Sequence, residues 1–516
     1  MICLQDISFN KLINRICICM MNEIKNVIVA MAGVCLLSQP MSALYIENAE
    51  AGGLRRAVTD LKTTSLKVDG EVNAADLYFI GDSLKSLQSL DLSGASIVAY
   101  DGEALRLSTS HAARTIPQMA FAGNSLTSII LPGSERVTIA DGAFAGSGLT
   151  GIDLNSADSV GMGAFSACAS LREVSLPNSH VGANAFADCT ALETATVGAA
   201  GKIADGMFAR CTRLSTVAGG DALTSIGDGA FAGCTSLSSF DFGSGLKTIG
   251  ARAFEFSGLQ NARLSQCTGL TSIGDRAFAS CAKLADASIP ESVGRLGAGV
   301  FFDDKEMLSV TLPDAIEELP ERVLTGASSL SGHLAIPSGV TRIGRFALKD
   351  VAAVDSLSLP AGLESLGDFA MENMTGLHTI NAAELRQVPA TGADVWRGVD
   401  QSDVTVYADK DYIDAFRHAD QWEKFRYDEV TGVVDVNPDG AEAALHATFQ
   451  GTDLLVWSEG EEIVRLTLYN TGGQLLVSIE PDESNVVVDT AGIDGKVFIV
   501  SVMLSDQRQA SIKLVR

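Results

Sequence analysis

The chain has 516 residues, room for roughly three domains, and 47% hydrophobic against 19% charged residues excludes extended disorder. Lysine and arginine number 37 against 63 aspartates and glutamates, a formal net charge of −26. With no basic face to displace counterions from phosphate, nucleic acid is excluded as a partner and anionic lipid is disfavoured.

The chain opens on a leader. Lys25 precedes the apolar run Val27 to Leu37, and a small residue follows at Ala43. This is the pattern of a secretory signal peptide, assigned to residues 1–43 with cleavage at Ala43 and its start at Met20 or Met21. The alternative, an uncleaved anchor, needs about 18–20 apolar residues, more than the run offers. Val34 before Cys35 does not suit a lipoprotein signal. No other segment is apolar enough to span a membrane, so the mature chain is expected to be soluble or tethered at the surface. Four of the ten cysteines (3, 17, 19 and 35) leave with the leader. Six remain, an even count that in an exported chain normally suggests disulfides.

Gly81-Asp82-Ser83-Leu84 has the look of a serine esterase nucleophile block. Such a serine needs a histidine base, usually with an acid three residues before it. The residues three before the six histidines are Ser108, Pro177, Leu330, Thr375, Ala415 and Ala443, none of them acidic. Ser83 also sits inside the apolar series Leu77, Ile80, Leu84, Leu87, a packing pattern.

From residue 121 a repeat takes over. Phe121, Phe144, Phe165, Phe186, Phe208, Phe231, Phe254, Phe278 and Phe301 recur at 21 to 24 residues, and Leu324, Leu348 and Met371 continue the series. That is a solenoid period. After each anchor comes one short strand signal, such as Leu171-Arg-Glu-Val-Ser-Leu176, which a proline at 132, 177, 290, 313, 337 or 360 ends for want of an amide. One strand per repeat in a constant direction predicts a parallel sheet. A rung this small buries its apolar face only against its neighbours, so the Phe side chains are expected to form one inner column.

Five of the six remaining cysteines, 168, 189, 211, 234 and 281, stand three residues after their Phe; Cys267 does not. In stacked rungs these thiols point the same way, so an unbridged ladder is expected. No Cys-x-x-Cys occurs and the histidines are scattered, so no metal site is expected.

The pattern Ile/Leu-Gly-x-x-Ala-Phe-x-x-Cys-x-x-Leu-x-x-Ile/Val-x-Leu-Pro resembles the BspA-like leucine-rich repeat family across residues 111–428. The resemblance implies a surface or secreted protein of a Bacteroides-type bacterium, of a kind associated with adhesion to host matrix or other cells. Residues 44–110, with Thr64 to Asp76 and Leu90 to Ile97, resemble the amino-terminal cap of such proteins. Val404 to Trp422 resembles their closing strand and helix. The implied fold class is an α/β-type repeat solenoid with a parallel sheet and short turns or helices.

A linker at 429–440 leads to a tail, 441–516, whose alternating segments Leu454 to Trp457, Ile463 to Tyr469, Gly472 to Val477, Asn485 to Asp489, Gly495 to Val502 and Ala510 to Arg516 predict a small all-β immunoglobulin-like sandwich. Leu468 to Leu476 and the closing Lys513-Leu-Val-Arg516 resemble the carboxy-terminal sorting domain of type IX secretion cargo, which implies export through that machinery. A plain spacer domain is the alternative.

Other catalytic signals are thin. Gly201-Lys202 lacks the spacing of a phosphate loop, and Asp303-Asp304 and Glu317-Glu318 read as solvated pairs rather than glycosidase carboxylates. The expected function is therefore non-catalytic recognition, with no cofactor, of an extracellular protein or glycan. Thr127, Ser128, Ile130, Arg172, Glu173, Ser175, Ser238, Ser239 and Asp241 are expected on the outward face of the sheet, and all of them except Ile130 are the candidate ligand-binding residues. A structural spacer without a ligand is the second reading, a secreted hydrolase the third.

Overall fold

The computed structural model describes residues 43–106, 108–198 and 201–429 and, in stretches, 445–515. The leader up to residue 42 and most of the expected linker, 430–440, lie outside the described residues.

Most rungs hold two short strands, where one was expected. In the rung of Phe278 the first is Ser272–Ile273 and the second Asp286–Ser288, joined through the tight turns that carry the anchor. Both kinds pair in parallel with the equivalent strand of the next rung, in register: Ser272 faces Thr248 and Arg295, Asp286 faces Asn261 and Ser309. The reason is the apolar residue before each Gly, such as Ile226, Ile249 and Ile273. Each points inward and leaves its backbone free to ladder with its neighbours. The α/β expectation is corrected too, because the anchors sit in turns. Among the described residues the α-helices are Leu54–Ala57, Ala74–Ser83 and Ile413–Arg417, all outside the run of rungs between Phe121 and Met371. The solenoid is built from parallel sheet with little helix.

The Phe column forms as expected. All nine rings are fully buried and stack face to face at centroid distances of 5.2–5.8 Å. Leu324, Leu348 and Met371 continue it, and Trp396 occupies the same slot one rung later, edge-on to Trp422 and Phe425. Residues with positive φ flank the anchors, as at Gly229 (φ 59) and Gly233 (φ 76) around Phe231; a neighbouring rung places Arg252 and Phe256 there at 55 and 58. Glycine enters that left-handed region at no steric cost, which explains its frequency beside the anchors.

The cysteine ladder is unbridged, and all six described thiols are free and buried. Each of the five ladder thiols donates to the carbonyl of the anchor Phe one rung back, 3.1–3.2 Å away, as Cys234 does to Phe208. Cys267 donates instead to Gly243 O at 3.3 Å.

Part of the acidic excess is structural. Asp141, Asp205, Asp228, Asp275 and Asp368, each three residues before an anchor, accept the backbone N–H of the equivalent residue in the next rung at 2.7–3.0 Å. A carboxylate bonded to an amide is a strong, charge-assisted tie.

Helix Ala74–Ser83 covers the open end of the column. Asn73 caps it by accepting from Ala75 N, and the buried Asp76 closes the capping box while also accepting from Gly52 N and Leu54 N. At the far end the Gln421 side chain accepts from Val395 N and donates to Gly392 O, satisfying backbone groups that have no further rung to pair with.

One hydrophobic cluster runs from Leu54 to Phe425 and a separate one from Leu454 to Leu504. In the tail, strands Leu445–Gln450, Asp453–Ser458 and Asn485–Asp489 form one antiparallel sheet, and Ile463–Asn470, Leu475–Ile479, Val497–Leu504 and Gln509–Val515 another.

Candidate functional site

The sheets that hold the second strands expose two columns of side chains. Glu173, Thr194 and Thr216 share one, Ser175, Thr196 and Ala218 the other. Past Phe240 the columns resume as Asn261, Asp286, Ser309 and Arg263, Ser288, Thr311. Small polar side chains dominate because the inner partners Val174, Ala195, Ala262 and Ala287 supply the packing.

Thr127, Ser128, Ile130, Arg172, Glu173, Ser175, Ser238, Ser239 and Asp241 are all exposed. They do not form one cluster. Ser128 and Ile130 lie on strand Ser128–Ile130, which pairs with Ser89–Ile97, and Thr127 immediately precedes it. Glu173 and Ser175 lie on a separate ladder, with Arg172 just before it. Ser238, Ser239 and Asp241 lie on no strand, which corrects the strand expected there.

At that break stands Phe240. It occupies the inward position held by Val217 one rung earlier and Ala262 one rung later. Its ring wedges edge-on against Phe231 at 5.1 Å and Phe254 at 5.2 Å, with Phe242 at 5.0 Å. Thr216–Ala218 and Asn261–Arg263, on either side of it, end on different sheets. The hydrogen bond described across the gap runs from Gln260 N to Ser238 O, 3.1 Å.

The gap opens a depression of about 510 Å³ lined by Ser239, Phe240, Asp241, Asn261, Arg263, Ser265 and Gln266. Its charged groups are fixed. Asp241 Oδ1 accepts Gly243 N at 3.1 Å. Arg263 Nε donates to Asp286 Oδ2 at 2.9 Å, and Ser309 Oγ donates to Asp286 Oδ1 at 2.6 Å. Those two bonds hold the Asp286 carboxyl below its ordinary range, Ser309 contributing most. Sequence reasoning found Ser239 and Asp241 but missed Asn261, Arg263, Ser265 and Gln266. The legible signal was a Phe where neighbouring rungs carry Val and Ala.

Gly81-Asp82-Ser83-Leu84 has a packing role. A Cβ on Gly81 would lie 1.9 Å from Ala120 O, so the glycine lets the capping helix touch the first rung. Asp82 pairs with Arg106 at 3.0 Å and Leu84 is buried. Four of the thiols are unsuited to nucleophilic work: burial pushes Cys211 up to about 12 and Cys267 up to about 11, and raises Cys234 and Cys281 as well. Among the described residues no three His, Cys, Asp or Glu side chains gather as metal ligands, and no helix is long and apolar enough to cross a membrane.

None of the curated proteins matches the chain. Among solved structures, a leucine-rich repeat protein from Bacteroides ovatus superposes with a TM-score of 0.51 at 21% identity, covering 77% of this chain and 90% of that one. A leucine-rich cell surface protein from Faecalibacterium prausnitzii, 21% identical, covers 57% of this chain and 87% of its own with a TM-score of 0.30. The model of the BspA type leucine-rich repeat region matches residues 103–215, 201–331 and 328–390 in six copies. With more than half its length matched and one rung pattern repeated through the fold, the chain belongs to the BspA type leucine-rich repeat family.

Proposed function

We propose that the chain is a non-catalytic recognition protein, secreted or displayed at the cell surface, that binds an extracellular protein or glycan through the outward face of its second-strand sheet. Solenoids of this family are commonly surface-associated binding proteins. The observation that carries the reading is the face itself: side chains stand at fixed rung spacing on a backbone held by the buried Phe column, so a long ligand meets a surface that needs little ordering on binding. Thr127, Ser128, Arg172, Glu173, Ser175, Ser238, Ser239 and Asp241 are the proposed contact residues. The test is binding of labelled protein to a panel of matrix proteins and glycans. Saturable binding weakened by substitutions on this face supports it; absence of binding to every member returns the chain to the structural-spacer reading.

Export follows the same proposal. The leader is cleaved at Ala43, the first residue of the edge strand Ala43–Ala49, and the tail acts as an immunoglobulin-like sorting domain of the type IX kind, on the strength of its Lys513-Leu-Val-Arg516 ending. Deleting 441–516 in a host with that machinery is expected to strand the solenoid in the periplasm. Undiminished surface display of the truncated chain would make the tail a spacer.

A further inference from the structure

We infer that the depression beside Phe240 is a subsite for one or two units of a neutral saccharide. The inference rests on the recognition reading above and narrows it to one ligand class at one place.

Three observations carry it. The volume, about 510 Å³, lies in the range of small-molecule sites, roughly 300–1,000 Å³. The lining is a donor and acceptor set for hydroxyl groups: the Asp241 carboxylate accepts, the Arg263 guanidinium donates, and the Asn261 and Gln266 amides do both. Both charged members are already held, Asp241 by Gly243 N and Arg263 by the Asp286–Ser309 pair, so ligand binding need not order them.

The break in the sheet adds a third set of partners. Residues 238–241 are outside any ladder, and of their backbone groups the Ser238 carbonyl is taken by Gln260 N, which leaves those of 239–241 outside strand pairing. Phe240 lines the same depression and supplies apolar surface for the C–H groups of a sugar. Charge selects against acidic saccharides: Asp241 stands in the depression, Arg263 is already paired to Asp286, and the chain carries −26 overall.

The experiment is calorimetric titration of the full chain with cellotetraose, maltotetraose and lacto-N-tetraose as neutral probes and trigalacturonate and a chondroitin sulfate tetrasaccharide as acidic ones. The same panel is run on the double variant Asp241→Asn/Asn261→Ala and on the control Thr194→Ala/Thr216→Ala, whose sites lie on the intact ladder. All four positions are at the surface of the rungs, and circular dichroism confirms that each variant keeps its fold. Binding of at least one neutral probe, weakened tenfold or more by the first pair and unchanged by the second, is the expected result. Attachment of that probe to a carrier protein then tells a free oligosaccharide from a protein-borne glycan. Binding of acidic probes alone, of no probe, or of a neutral probe with equal affinity in both variants overturns the inference. If matrix proteins still bind the face in those cases, the recognition reading stands without the subsite; if nothing binds, both fall.

Discussion

The rungs from Phe121 to Phe301 and those from Leu324 to Met371 build the same solenoid from different cores. In the first region a flat ring fills the anchor slot, and the residue three positions later is polar or a thiol: Asn124, Ser147, Cys168, Cys189, Cys211, Cys234, Ser257, Cys281 and Asp304, all buried. In the second the anchor is aliphatic and the slot after it is apolar: Ala327, Val351 and Met374. The two positions compensate. Where the ring is lost, Val351 and Met374 make good much of the volume that the anchor gives up. The aromatic stack reappears outside, where Phe346 and Phe369 stack at 5.2 Å under Arg322, Arg345 and Arg397. At the seam both sheets change partners: Ser309–Thr311 ends one ladder and Ser331–Ala335 begins another, as do Arg295–Leu296 and Glu318–Leu319. The turns carry the contact across, with Phe301 N donating to Val323 O at 3.0 Å.

The sharpest way to break this comparison is to remove a ring. Phe231→Ala opens a cavity between Phe208 and Phe254 and is expected to cost about 3–5 kcal/mol in denaturant unfolding. A loss under about 1 kcal/mol would mean that the column does not carry the core. The converse, Leu348→Phe, forces a ring into a rung whose Val351 already fills the space, and should destabilise by about 1–3 kcal/mol; a neutral outcome would show that the two cores are interchangeable.

Asp304 tests the seam. It takes the thiol position of the last Phe rung, is fully buried, and accepts Cys281 N at 2.7 Å with one oxygen while the other has no described hydrogen-bond partner. Burial holds its carboxyl well above the ordinary 3.8, with Asp303 adding to the effect. The native state therefore keeps a proton that the unfolded chain releases. This group's contribution to stability is greatest below the unfolded value and is lost as pH rises toward the native one. Asp304→Ser, the residue type at 147 and 257, is expected to raise stability at pH 7 by roughly 1–3 kcal/mol and to change little near pH 4. Equal effects at both pH values would show that Asp304 is not the titrating group.

The smallest effect is expected at the ladder itself. Cys234→Ser keeps a donor for Phe208 O and should cost under about 1 kcal/mol. Alkylation gives a companion readout: the native protein should protect its thiols, and the denatured one, without reductant, should take up label at all six cysteines described as free. Paired cysteines would sink the ladder.

Much of the core was legible in the residues because a solenoid repeats its own signal. Phe at constant spacing implied the column, and Cys three residues later implied parallel thiols. The first strand of each rung escaped because Thr-Ser-Ile is too short to show alternation and only in-register stacking makes it a strand. The role of the Asp three residues before an anchor escaped too, since its partner amide is a whole rung away. Trp396 was missed for its changed residue type, although its slot was predictable by spacing.

By itself the sequence determined the repeat, its period, its inner column and its unbridged cysteines, because each rung meets only its neighbours and local pattern becomes tertiary contact directly. Only the tertiary structure decided where the ladders stop. Phe240 is a favourable strand residue taken alone, yet it stands where the sheet breaks, between the rungs of Val217 and Ala262. The depression that follows, with Asp241 and Arg263 held by groups in other turns and rungs, exists in no single repeat.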